Sequence, residues 1–104
     1  MEIYISGKIS GLPVDEAKAA FNKAVNEIEA LGHTPISPFD DWLGESASWE
    51  EHMKHDIKIM LSCDAIYMLS NWEGSKGARI EWYIAQQINM KIMYETNKRS
   101  FSKL

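Results

Sequence analysis

Cysteine, basic runs and long apolar stretches are all scarce in this chain of 104 residues. The single cysteine, Cys63, excludes an intrachain disulfide and suits a reducing compartment, so a cytoplasmic location is expected. Lys and Arg number 11 against 15 Asp and Glu, and the formal charge is −4. With no basic run to neutralise phosphates, a grip on nucleic acid is excluded. No apolar segment approaches the length of a bilayer span, and the first residues lack a signal-peptide pattern, so no membrane partner is expected. Internal repeats, low-complexity tracts and linkers are missing too. A chain of this length makes one domain with a modest core, which contacts within a homo-oligomer, a dimer or larger, would extend.

What is present is an alternation of strand and helix signals. Glu2 to Ser6 reads as a short buried strand, and Gly7-Lys8-Ile9-Ser10-Gly11 as the loop that follows it. Pro13 suits the first turn of a helix whose apolar stripe is Ala17, Phe21, Ala24, Val25, Ile28 and Leu31, with Gly32 as its stop. Thr34 to Ser37 is a weak second strand, and Pro38 to Ala47 a loop. Ser48 and Glu51 form a capping box for a second helix. Ala65 to Leu69 is a third strand, a third helix runs from about Gly77 to Asn89, and Lys91 to Tyr94 is a last strand. Strands separated by helices predict an α/β fold, a flavodoxin-like or Rossmann-like three-layer sandwich around a parallel sheet of four to five strands. The domain is expected to span 1–95, with a C-terminal tail over 96–104.

Two acids sit where the pattern demands apolar residues. In the third helix Gly77, Ile84, Ala85 and Ile88 share one side at 100° per residue, and Glu81 lies in the middle of it. A carboxylate on a core stripe is costly unless paired or used. Its place one turn into the helix also sets it at the C-terminal edge of the sheet, where open α/β folds bind ligands. The plainer alternative is a glutamate favoured by the helix dipole and bent out to solvent. The second helix repeats the anomaly, with Asp56 inside the arc of Trp49, Met53, Ile57 and Met60. Its plainer alternative is a cap on a neighbouring loop or a pairing with His52, His55 or Lys58. Paired carboxylates in unlike surroundings are the equipment for breaking a glycosidic bond.

The loop after the first strand offers Gly7 and Gly11 for close backbone approach, and Lys8, Ser10 and its amides for an anion. It is neither a Walker loop nor a dinucleotide fingerprint, and such a loop is more often just a tight strand-to-helix turn. His52 and His55 have a spacing that can serve a metal, but no third ligand completes a set, so no metal is expected. Trp72, past the end of the third strand, suits stacking on a base or anchoring a loop.

Tyr4-Ile5-Ser6-Gly7-Lys8-Ile9-Ser10-Gly11, His55-Asp56-Ile57 with Cys63-Asp64-Ala65, and Ser75, Gly77, Glu81 and Ala85 together resemble the nucleoside 2-deoxyribosyltransferase-like superfamily, most closely its DUF4406 branch. The resemblance covers the chain to about Tyr94. It implies Glu81 as nucleophile at the anomeric carbon, Asp56 as the group that contacts the base or handles its proton, and Tyr4 as the aromatic that orients the glutamate. Six residues before the nucleophile, where true deoxyribosyltransferases carry aspartate, stands Ser75. The related 2'-deoxynucleoside 5'-phosphate N-hydrolases also have serine there and hold the 5'-phosphate with it and the first-strand loop. A serine donates where an aspartate would repel an anion. Lys76, Arg79 and Lys8 would add positive charge if they face the site.

The expected activity is cleavage of the N-glycosidic bond of a (deoxy)nucleoside 5'-monophosphate, hydrolysis before transfer, with no cofactor. Catalysis is assigned to Glu81, Asp56 and Tyr4, and substrate binding to Gly7, Lys8, Ile9, Ser10, Trp72, Ser75 and Gly77. The alternatives are nucleoside deoxyribosyl transfer, a non-catalytic nucleotide-binding accessory protein of a phage or mobile element, and an adaptor that uses Trp42, Trp49 and Trp72.

Overall fold

A computed structural model describes residues 1–96. The expected tail therefore lies, from residue 97 on, outside the described residues. The elements are β1 (Glu2–Ser6), α1 (Val14–Ala30), β2 (Thr34–Ile36), α2 (Trp49–Leu61), β3 (Ala65–Met68), a 3-10 turn (Trp72–Gly74), α3 (Lys76–Gln87) and β4 (Lys91–Tyr94). The strands form one parallel sheet in the order β2-β1-β3-β4, which is flavodoxin-like with four strands.

Strand periodicity divides the core into two layers. Ile3 and Ile5 face one side of the sheet and pack with Phe21, Ala24 and Ile28 of α1. Tyr4 faces the other side and packs with Met60 at the end of α2 and Ala78 and Ala85 of α3. β1 and β3 are buried on both faces, as the near-continuous apolar runs in their sequences require. The chain leaves β1 toward β2 on one side and returns to β3 on the other, so the direction reverses at the carboxyl end of β1. That switch point is where folds of this class open a crevice.

Local signals set the helix limits. The capping box at Ser48 is formed in both directions, Ser48 Oγ accepting from the Glu51 amide and Glu51 Oε1 from the Ser48 amide. Gly32 ends α1 in the left-handed region, with φ 84°. Two members of the expected stripes do not reach the core. Leu31 and Ile88 are each the residue on which a helix ends, and there the chain turns away, leaving them largely exposed. Among the described residues no helix is long and apolar enough to cross a membrane.

Candidate active site

Tyr4 and Ser6 alternate with Ile3 and Ile5, so both point toward α2 and α3 at the end of β1. There they meet Glu81. The Tyr4 hydroxyl donates to Glu81 Oε2 at 3.0 Å, and Ser6 Oγ donates to Oε1 at 2.6 Å. Glu81 is only 4% exposed. It is therefore held inward by two donors, one on each oxygen, and does not bend to solvent. Burial raises its pKa to about 7, opposed by the bonds from Ser6 and Tyr4 and assisted by the Asp56 charge. Burial first, then Glu81 and Asp56, push the Tyr4 hydroxyl well above its usual range, so it remains a neutral donor.

Asp56 is also buried, and burial raises its pKa against the opposing pull of His55. The pairing with His55 exists, His55 Nδ1 lying 3.2 Å from Asp56 Oδ1. It does not exclude the catalytic placement, because Asp56 and Glu81 line the same cavity, of about 290 Å³. Tyr4, Gly7, Ile9, Ser10, Ser75 and Gly77 line it too, so most of the expected site residues are brought together. Ser75 Oγ caps α3 by accepting from the Ala78 amide at 3.1 Å, which leaves the hydroxyl proton free to donate elsewhere. The amides of Lys76 and Gly77, in the first turn, have no partner within the helix. A Cβ at Gly77 would stand 2.8 Å from Met53 Sδ, where α2 and α3 approach, so the methionine side chain would have to move.

Other expectations need correction. Lys8 does not line the cavity; its amide donates to Asn71 Oδ1 at 3.0 Å. Trp72 does not line it either. Its ring stacks on Trp82 at 5.1 Å and borders a separate cleft beside Tyr94 and Glu95. The Lys76 ammonium lies over the Trp49 ring at 4.7 Å, and Arg79 donates to the Glu73 carbonyl. No Lys or Arg among the described residues lines the cavity, whose charged wall is Glu45, Asp56 and Glu81. Of the loop glycines only Gly11 takes a positive φ. Gly7 is required because Leu69 leaves no room for a side chain. No group of three His, Cys, Asp or Glu among the described residues could hold a metal ion.

Sequence reasoning missed Ser6, the shortest contact to Glu81. The signal was available, since Ser6 is two residues from Tyr4 in a strand and must share its face. It missed the opposite wall as well, formed by Trp42 and His52, whose rings stack at 5.8 Å, with Trp49 and Phe21. Trp42, named above only for an adaptor, lines the cavity.

The two donors on Glu81 are expected to set its titration. Ser6→Ala and Tyr4→Phe each remove a bond to the charged form, so each should move the Glu81 midpoint upward from about 7. Carbon-13 NMR of the labelled carboxyl checks this, and a midpoint that falls or stays fixed would contradict it.

The family described as Domain of unknown function (DUF4406) matches residues 1–94. No curated protein matches the chain. Among solved structures, the chain is similar to a 2-deoxyribosyltransferase from the psychrotolerant bacterium Bacillus psychrosaccharolyticus, with a TM-score of 0.69 and 22% identity over 90% of this chain and 71% of that one. At that identity the likeness is one of fold.

Proposed function

The chain belongs to the DUF4406 family, and we propose that it cleaves the N-glycosidic bond of a (deoxy)nucleoside 5'-monophosphate, passing the sugar to water. The observation that carries this reading is one cavity lined by two buried carboxylates, one of them fixed by donors to both its oxygens. The fold it shares with a 2-deoxyribosyltransferase supports it. Glu81 attacks C1' as the C1'–N bond breaks, and the bonding pair leaves with the base. Asp56, its pKa raised by burial, supplies the proton that the base takes up. Asp56 then accepts a proton from water as water displaces Glu81 and releases the sugar phosphate. Tyr4 and Ser6 keep the carboxylate aimed. The aromatic wall of Trp42 and Trp49 suits the flat face of a base. Ser10, Ser75 and the backbone at Gly7, Ile9 and Gly77 hold the phosphate.

A second reading rests on one observation, the lack of Lys and Arg on a cavity wall that carries three acids. Such a wall favours an uncharged nucleoside, with transfer to a second base as the alternative outcome. A panel of deoxynucleosides and their monophosphates, each with and without an acceptor base, separates the two by chromatography of the products. Ser75→Asp sharpens the comparison, because aspartate still caps α3 while it adds a negative charge. It should raise KM for monophosphates about tenfold and leave nucleosides nearly unchanged. Equal effects would remove Ser75 from phosphate recognition. Binding in calorimetry with no base released would leave a nucleotide-binding module.

A further inference from the structure

His55 is one residue from Asp56 and does not line the cavity. Its ring is nevertheless placed between two acids. Nδ1 is 3.2 Å from Asp56 Oδ1 and Nε2 is 3.3 Å from Asp41 Oδ2. With both carboxyls ionised, a neutral imidazole, which has one donor and one acceptor, would set two lone pairs against each other at one of these contacts. Only the imidazolium donates to both. Asp41 belongs to the segment between β2 and α2 that also carries Trp42 and Glu45, two residues of the cavity wall. The same segment is held a second time, where His52 Nε2 meets the Gly44 carbonyl at 2.8 Å.

We propose that His55, as an imidazolium, is a positioning residue of this site: it bridges Asp56 to Asp41, and so aims the Asp56 carboxyl and seats the 38–47 segment in a single contact. The proposal rests on the role given to Asp56 above. The two arms are unequal. The Asp56 side chain is 11% exposed and the Asp41 side chain 87%, so solvent screens the Asp41 arm and the Asp56 arm carries the larger share. The charged groups that act on His55 are Asp56 on its own helix and Asp41 on the facing segment, while His52 acts on Asp56 from one turn earlier. The bond to Asp56 raises the His55 pKa, burial opposes it, and Asp41 raises it further. The bridge is therefore present below the His55 midpoint and is lost as pH rises through it.

The bridge is read first without activity. In proton–nitrogen NMR titrations the His55 ring should titrate at higher pH in the wild type than in Asp56→Asn or Asp41→Asn. An unchanged midpoint in both variants overturns the bridge. Base release gives the second readout. Glu81 must be ionised while His55 and Asp56 hold their protons, so the wild-type rate should rise as Glu81 ionises, with a midpoint of about 7, and fall as His55 and Asp56 lose theirs. His55→Gln should lower kcat about tenfold, change KM less than threefold and move the alkaline fall to higher pH, because the charge that lowers the Asp56 pKa is gone. His55→Arg, charged at every accessible pH, should restore most of kcat and leave an alkaline fall set by Asp56 alone. An alkaline fall with an unchanged midpoint in His55→Gln overturns the positioning role. A wild type that releases no base ends the glycosidase reading instead, and the imidazole titration then decides the bridge alone.

Discussion

Glu81→Gln is expected to abolish base release and, at pH 8, to make the protein more stable. Glutamine keeps the shape but cannot form the bond to C1', so the rate should fall at least about a thousandfold. The stability effect follows from linkage. The Glu81 pKa is about 7 in the folded state against 4.5 for an ordinary glutamate. A raised carboxyl pKa means that the folded state holds the proton more tightly, so stability is highest below pH 4.5 and declines as pH rises toward 7. Above that the ionised, buried carboxylate costs about 3 kcal/mol, at about 1.4 kcal/mol per pH unit. Glutamine removes this cost but cannot accept from Tyr4 and Ser6 equally well, so a net gain of about 2 kcal/mol remains. For a domain of this size that raises Tm by about 10 °C at pH 8. At pH 5, where Glu81 is already neutral, Tm should barely move. Melting curves at the two pH values check this, and a variant less stable at both would mean that Glu81 is not strained by ionisation.

Gly7→Ala carries the second large effect. A Cβ at Gly7 would lie 2.4 Å from Leu69 Cδ1, 2.7 Å from Cγ and 2.8 Å from Cβ. A rotamer change can move the tip of a leucine but not its Cβ, and Leu69 is buried among Ile3, Ile5 and Phe21. The backbone of the loop must shift, at a cost of about 2–3 kcal/mol and a Tm lower by about 10 °C or more. Leu69→Ala should rescue it only in part, because the alanine retains that Cβ. Gly74→Ala is the control, since nothing lies within 4 Å of a Cβ there. Equal stability of the Gly7 and Gly74 variants would show that the clash relaxes freely.

The order of the elements was legible because each apolar run has a length and period that only one element satisfies. Glu81 and Asp56 were legible for a related reason, since an acid on an apolar stripe conflicts with its neighbours and the conflict is visible in one dimension. Ser6 presents no conflict, because a small hydroxyl fits a buried strand whether or not it meets a carboxylate. The 38–47 segment has no period to read, and its seat on the cavity depends on contacts to His52 and His55 from another element. Lys8 and Trp72 lie off the cavity for the same reason in reverse. Chain position put them near the sheet edge, but Asn71 and Trp82 decide where their local backbone and ring point.

The bonds that complete Glu81 join residues 75 and 77 positions apart. Tyr4 and Ser6 precede Glu81 along the chain, and their shared acceptor is delivered only when α3 docks. Until then, a chain with β1 and β3 paired leaves both hydroxyls to water, and covering them without Glu81 would strand two donors, which opposes closure of that layer by any other segment. Pairings of such separation form slowly. Acquisition of the native state is thereby tied to the docking of α3, and a chain cut short of residue 76 lacks the acceptor that both hydroxyls share.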